Sequence, residues 1–320
     1  MKTTRGCQAG CGTDTGESVK DHQLKAWLSL VETGSIRSAA RSLHLSQAAI
    51  TKAIRELEHD LDAALVVRSS RGITLTECGH HLTLRARLAQ AQLALARQDI
   101  RQLQGGKQAH VAVAVTPMVF LSVLPGVVSA FRKRMPLAEL TLEEGLMPLV
   151  LPALREGAVD FAVAAAAPAQ EAIGSDFSFE PLQTLETMVA CRRGHPLENA
   201  TSWEQLVDCE WLMHLSPGSH HSYLIERLKQ SGLPVPARMI RTNTFGVSWN
   251  MMTRSDAMLA CPAGMLEAHP YGAQASRVPL RMDLPPLKLG IFTLRDAPLS
   301  LAASTLAELF RREIAANLLR

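Results

Sequence analysis

The stretch "AARSLHLSQAAITKAIRELE" (residues 39–58) carries two apolar runs separated by His44-Leu45-Ser46. In the second run Ile50, Ala53, Ile54 and Leu57, continued by Leu61, recur at steps of three and four and mark the buried stripe of an α-helix. Ser46 stands where its hydroxyl can accept from a backbone N–H that lacks an intrahelical partner, so it predicts the helix start. Gln47, Ala48, Thr51, Lys52 and Arg55 fall on the opposite side. Upstream, "SIRSAARSLHL" predicts a helix capped by Ser35, with Ile36, Ala39, Ala40 and Leu43 inward. Before it, "DHQLKAWLSLVETG" places Leu24, Trp27, Leu28 and Val31 on one helical face closed by Gly34. The small side chains of Ala39 and Ala40 let a neighbouring helix approach closely.

A donor-rich helix N-terminus held by a tightly packed preceding helix suits reading of base edges in the major groove. Glutamine can bond adenine in bidentate fashion, arginine or lysine guanine, and the Thr and Ala methyls can meet thymine methyls. The spacing alone also fits an ordinary helical hairpin with a solvated face. After Leu61, "DAALVVRSSRGITLT" changes to strand period around a turn at Ser69–Gly72, which places Arg68 and Arg71 near the tip of a β-hairpin. Such arginines would meet phosphates or the minor groove, as a wing does, although a bland exposed turn carries them too.

From Thr76 to Gln104 the chain has no Pro and only Gly79 as glycine. Leu82, Ala86, Ala89, Leu93, Ala96, Ile100 and Leu103 alternate steps of four and three, a heptad seam on a helix on the order of 40 Å long. Gly105-Gly106 end it. A long alanine-rich seam on a small head most economically pairs two chains, so that two heads read two half-sites.

Charge follows the same division. Residues 20–105 carry 12 Lys/Arg against 8 Asp/Glu, whereas residues 106–320 carry 19 against 20. The positive excess therefore sits in the first third, where contact with nucleic acid needs it, although a solvated basic face would look alike.

Taken together, "SIRSAARSLHLSQAAITKAIRELEHDL" (35–61) and "ALVVRSSRGITLTECG" (64–79) closely resemble the winged helix-turn-helix of LysR-type transcriptional regulators. The motif A-A-x-x-L-x-x-S-Q followed by R-x-L-E is long and specific, and the resemblance extends over about residues 20–320. Three positions depart from the family pattern: Ala48 replaces a usual Pro, Thr51 a usual Ser, and Val66 a common aromatic of the wing strand. These changes bear on the half-site read rather than on membership.

The resemblance implies an α/β protein with an N-terminal winged helix-turn-helix, a long linker helix and a C-terminal two-lobed effector domain like that of periplasmic binding proteins. The expected division is a flexible tail over 1–19, the DNA-binding domain over 20–75, a linker and dimerisation helix over 76–106, and the effector-binding domain over 107–320. Lobe I is expected at about 107–168 and 283–320, and lobe II at about 175–278, with crossings near 166–180 and 270–285. Expected partners are a double-stranded DNA operator, a small organic-acid effector and further copies of the chain as a homodimer or homotetramer. RNA polymerase is a further partner open to such a regulator.

Residues 107–320 themselves alternate short apolar runs with longer helical patterns, which predicts a mostly parallel sheet with helices on both faces. "SWEQLVD" (202–208) is expected as one of the helices. In such sheets ligands sit at the carboxyl ends of strands, beside helix N-termini. Thr116-Pro117 follows "HVAVAV" and Ser216-Pro217-Gly218 follows "EWLMHL", so one hydroxyl from each lobe is expected to hold a carboxylate or sulfonate. Routine helix caps with Pro in the first turn would look the same. The resemblance places Thr116 where family members carry an effector-binding Ser or Thr. It also places Leu146, Met147, Phe245 and Cys261 on the cleft wall, an apolar lining that suits a hydrophobic organic anion.

Other chemistry finds little support. No nucleophile elbow, phosphate-cradling loop or H-E-x-x-H motif occurs, so no catalytic residues and no cofactor are expected. Cys7 and Cys11 lack a second Cys/His pair, and His214, His220 and His221 lack acidic partners nearby, so no metal site is expected. Six cysteines in 320 residues read as reduced cytosolic thiols. Only 4% of residues are aromatic, which argues against a stacking platform for single strands. No apolar run reaches membrane-spanning length and the N-terminus lacks a signal-peptide core, so a cytoplasmic protein is expected. The competing reading is a solute-binding receptor that uses the two-lobed domain without binding DNA.

Overall fold

The computed structural model describes residues 19–69, 72–104, 109–167, 176–216 and 219–317. The expected tail with Cys7 and Cys11, Arg71, the Gly105-Gly106 stop and Pro217-Gly218 lie outside the described residues, as does the side chain of Arg68. The chain forms two compact units, Met1–Ala89 and Gln90–Arg320, and the division falls inside the long helix rather than at either end of it.

In the first unit α1 (Asp21–Thr33), α2 (Ile36–Ser42) and α3 (Gln47–Asp60) enclose a core of Trp27, Leu30, Ala39, Ile50, Ile54 and Leu57. Gly34 ends α1 at φ +70°, a left-handed conformation that glycine adopts without steric cost. Ser35 caps α2, accepting from Ser38 N at 3.1 Å, and Ser46 caps α3, accepting from Ala49 N at 3.1 Å. Between them His44 takes φ +54°, which turns the chain within the three residues that separate the apolar runs. Leu61 departs from its expected place in the stripe. It is the C-cap of α3 and 38% exposed, because the helix ends before it and Asp62 turns away at φ +46°.

β1 (Val66–Ser69) and β2 (Gly72–Leu75) pair antiparallel as the expected hairpin. Glu58 on α3 accepts from Leu65 N at 2.8 Å and Val66 N at 3.3 Å, so the final residue of the R-x-L-E motif ties α3 to the wing. α4 (Glu77–Leu103) follows, its start capped by Thr76, whose hydroxyl accepts from Gly79 N at 3.0 Å. Of the expected seam, Leu82 and Ala86 pack into the first unit's core, whereas Leu93, Ile100 and Leu103 are exposed.

The second unit holds two five-stranded sheets. One has the order β4-β3-β5-β12-β6, made of β3 (His110–Val115), β4 (Glu139–Glu144), β5 (Phe161–Ala166), β6 (Phe177–Leu185) and β12 (Leu287–Leu294). The other has the order β11-β7-β10-β8-β9, made of β7 (Thr187–Arg192), β8 (Glu210–Met213), β9 (Arg238–Arg241), β10 (Ala257–Pro262) and β11 (Ala275–Arg277). Each sheet is mixed rather than mostly parallel. β3, β4 and β5 run parallel, as do β8, β9 and β10, while β12 and β7 each run antiparallel to both neighbours. The reason is the double crossing: β7 and β12 enter their sheets directly from the other lobe, without a helical crossover that would keep them parallel.

β6 belongs to the first sheet, paired with β12 from Leu185↔Leu287 to Phe177↔Leu294. The first crossing is therefore at Glu186, later than the expected 166–180, and the second lies between β11 and β12. The two crossings are joined, since Thr187 Oγ1 donates to Pro285 O at 2.9 Å. α5 (Pro117–Ser122), α6 (Leu124–Arg134), α7 (Met147–Glu156) and α11 (Leu301–Ala316) flank the first sheet, with Phe131, Phe161 and Phe310 at its centre. α8 (His220–Gln230), α9 (Phe245–Arg254) and the short α10 (Met265–Ala268) accompany the second. There Trp203 and Trp211 pack at a centroid separation of 4.9 Å. "SWEQLVD" forms only one 3-10 turn, Trp203–Gln205, because Trp203 turns into the core and donates to Pro234 O at 2.8 Å. Among the described residues no helix is long and apolar enough to cross a membrane.

Candidate functional site

The first unit presents the N-terminal face of α3 to solvent. Ser46, Gln47, Ala48, Lys52 and Arg55 are exposed and Thr51 is half-buried, while Ile50, Ala53, Ile54 and Leu57 hold the opposite face in the core. Lys52 lies 3.7 Å from Glu56, a surface pair of small energetic weight that leaves the lysine side chain 78% exposed. Sequence reasoning passed over Arg37 and Arg41 on α2, both exposed.

The second unit contains a cavity of about 90 Å³ between its two sheets. Thr116 and Pro117 at the β3–α5 junction and Leu146 and Met147 at the β4–α7 junction line it from one lobe. Phe245 at the start of α9 and Cys261 in β10 line it from the other. Six of the seven effector residues expected from sequence thus share one wall system. The exception is Ser216, which does not line the cavity. The cap of α8 is Ser219, three residues later, which accepts from Ser222 N at 3.2 Å and donates to His214 O at 2.6 Å. Ser219 lines the cavity in its place, together with His214, His220 and His221. The repeated serines of "SPGSHHS" (216–222) hid this, because the proline makes the earlier serine look like the cap.

The histidines are held as neutral rings. His221 is 4% exposed, accepts at Nδ1 from His214 N at 2.9 Å and donates from Nε2 to Ala260 O at 2.9 Å. Burial holds its pKa well below the usual histidine value, with His220 and His214 adding to the effect. His214 donates from Nδ1 to Thr242 O at 2.6 Å, and burial lowers its pKa also. Burial pushes His220 down to about 4, with the nearby Pro285 carbonyl opposing the shift. Burial raises the Cys261 thiol to about 12, so it is an uncharged part of the wall. Among the described residues no cluster of His, Cys, Asp or Glu could hold a metal ion.

Two polar atoms of the lining make no hydrogen bond: Thr116 Oγ1 from one lobe and His220 Nε2 from the other. No Lys, Arg, Asp or Glu occurs among the described lining residues. One contact crosses the lobes at the rim, where Phe245 N, in the first turn of α9, donates to Glu144 Oε1 at 3.2 Å.

A helix-turn-helix head followed by a two-lobed domain with a cleft is the architecture of a ligand-responsive DNA-binding regulator. The chain belongs to the LysR family: residues 22–80 match the bacterial regulatory helix-turn-helix protein model of the lysR family, and residues 104–315 match the LysR substrate binding domain. It is a LysR-type transcriptional regulator with an effector-binding domain, and a receptor without DNA binding is not favoured. Among its relatives, the HTH-type transcriptional regulator TdcA of Escherichia coli K12 is 24% identical over 291 residues, 91% of this chain and 92% of that protein. A full-length OxyR variant from Pseudomonas aeruginosa is similar in fold, with TM-score 0.61, 20% identity and coverage of 90% of this chain and 93% of that one. Full-length CbnR complexed with its target DNA is also similar, with TM-score 0.60, 19% identity and coverage of 91% and 99%.

Proposed function

We propose that the exposed N-terminal face of α3 reads the operator, that pairs of chains join along α4, and that the cleft takes a small organic anion. The observation carrying the first part is the separation of α3 into a packed side and a free side, with Gln47, Lys52 and Arg55 on the free one. Arg68 and Arg71 in the wing are assigned to phosphate or minor-groove contacts, and Ser46, Ala48 and Thr51 to the edge of the same reading face. Pairing is supported by Leu93, Ile100 and Leu103, exposed on one helix at seam spacing. A dimer or tetramer would then set two heads on a pseudo-palindromic site in the cytoplasm, where the DNA is.

An anion in the cleft is supported by the helix starts at its wall. Thr116, Leu146 and Ser219 cap α5, α7 and α8, and helix N-termini favour negative charge. Effector binding would shift the populations of inter-subunit arrangements by its differential affinity for them, typically about 1–3 kcal/mol.

The DNA reading is tested by mobility shift with Gln47→Ala and Arg55→Ala. Each is expected to weaken binding to the duplex selected by the wild-type protein by about 1–3 kcal/mol, roughly 5- to 150-fold, with oligomerisation unchanged. Equal loss on scrambled DNA would remove the base-reading role. The cleft is tested separately by Thr116→Val, which is expected to abolish the effector response in a reporter strain while leaving DNA affinity as it was; full induction by the variant would refute the site.

A further inference from the structure

A groove of about 400 Å³ opens in the second unit between α8 and residues 282–286, the stretch through which the chain returns from lobe II toward β12. It shares no lining residue with the cleft cavity and falls within the roughly 300–1,000 Å³ typical of small-molecule sites. Its floor is apolar, since Leu224 and Leu228 are buried and Leu233, Met282 and Leu284 pack beside them. Arg227 belongs to the α8 wall and Asp283 to the opposite one. Among the described lining residues these two alone are charged. Arg227 Nη1 donates to the uncharged Gln230 Oε1 at 3.3 Å, and among the described residues neither charge has an oppositely charged partner. Tyr223, half-buried, and Ser231, the C-cap of α8, add hydroxyls to the same lining.

We propose that this groove is a second ligand site, separate from the cleft, and that it takes a free apolar α-amino acid. A cation and an anion that share a groove without pairing are matched by a ligand carrying both charges. The α-carboxylate meets Arg227, whose guanidinium can hold a carboxylate through two parallel hydrogen bonds, with the Tyr223 hydroxyl as a further donor. The α-ammonium meets Asp283, and the side chain covers the leucine floor, which removes apolar surface from water. A plain organic acid leaves Asp283 unmatched, and a plain amine leaves Arg227 unmatched. The position bears on the response of the protein. The first turn of α8 carries His220 and His221 into the cleft wall, and Pro285 O accepts from Thr187 Oγ1 at 2.9 Å where the lobes are joined. An occupant of the groove therefore touches both the helix that walls the cleft and the segment that links the lobes.

Calorimetric titration of the full-length protein with leucine, leucinamide and 4-methylpentanoate tests the assignment. Leucinamide lacks the carboxylate and 4-methylpentanoate lacks the ammonium, so each is expected to bind on the order of tenfold more weakly than leucine. Arg227→Ala is expected to weaken leucine and erase its advantage over leucinamide. Asp283→Asn is expected to erase its advantage over 4-methylpentanoate. Both side chains are exposed, so both variants should fold, which circular dichroism checks. Thr116→Val separates the two sites: leucine binding persists in it if the groove is the site. Failure of leucine to bind, or equal binding of all three probes, would overturn the amino-acid class. Leucine binding that is lost in Thr116→Val but kept in Arg227→Ala would place the ligand in the cleft and overturn the second site.

Discussion

Trp27→Ala is expected to unfold the DNA-binding unit and abolish operator binding while the two-lobed unit keeps its fold. Trp27 is fully buried at the centre of α1, and its indole Nε1 donates to Thr83 Oγ1 at 3.1 Å, tying α1 to the first turns of α4. Truncating a buried tryptophan costs about 3–5 kcal/mol through lost transfer energy and the cavity left behind. Thr83 keeps its own donor bond to Gly79 O at 2.7 Å but loses the indole N–H that it accepts. At roughly 0.05–0.15 kcal/mol per residue, a unit of about 70 ordered residues has stability of the same size as that loss. The measurement is a thermal melt followed by circular dichroism, together with a mobility shift. The transition of the first unit should vanish, the second should persist, and duplex binding should go. Retention of both transitions with DNA affinity within about twofold of wild type would show that the core does not depend on this ring.

The second large effect is loss of stability in mild acid. In the unfolded chain His220 takes up a proton near its ordinary value of 6.5, whereas in the folded protein burial delays uptake to about 4. Between these values the unfolded state binds more protons, so stability falls as pH drops through the window and levels off below it. The difference corresponds to about 3 kcal/mol from His220. His221 and His214 add in the same direction, since burial lowers both, while the nearby charge of Glu144 partly offsets the effect at His214. Urea unfolding of the wild type from about pH 7 to 4 should show the midpoint of the two-lobed unit falling steadily. His220→Gln, which has no ring to protonate, should reduce that slope, with His221 and His214 supplying the remainder. Identical slopes in wild type and variant would exclude His220 as a source.

The first unit was largely legible in the sequence because its rules are local. The 3-4 spacing in α3, the serine caps and the glycine stop each act within a turn or two, and the structure obeys all of them. Leu61 was the exception, since periodicity continues past a helix end that only the left-handed Asp62 reveals. The two-lobed unit was legible as alternating elements but not in its wiring. β6 escaped notice because Pro181 interrupts "FSFEPLQTL" (177–185), and proline is tolerated here only because β6 is the edge of its sheet. Its partner Gly290 sits beside a register shift, where a Cβ would approach Glu180 O to 2.2 Å. Neither fact is visible until the two strands, more than a hundred residues apart, are paired. The cleft histidines were likewise visible as a cluster but not as cavity lining, because their role depends on β10 and on the segment before β12.

Pro285 O accepts from Thr187 Oγ1, which ties the first residue of β7 to the segment just before β12. Both passages of the chain between the lobes are therefore fastened at one point, and any turning of one sheet against the other would have to pass through that fastening.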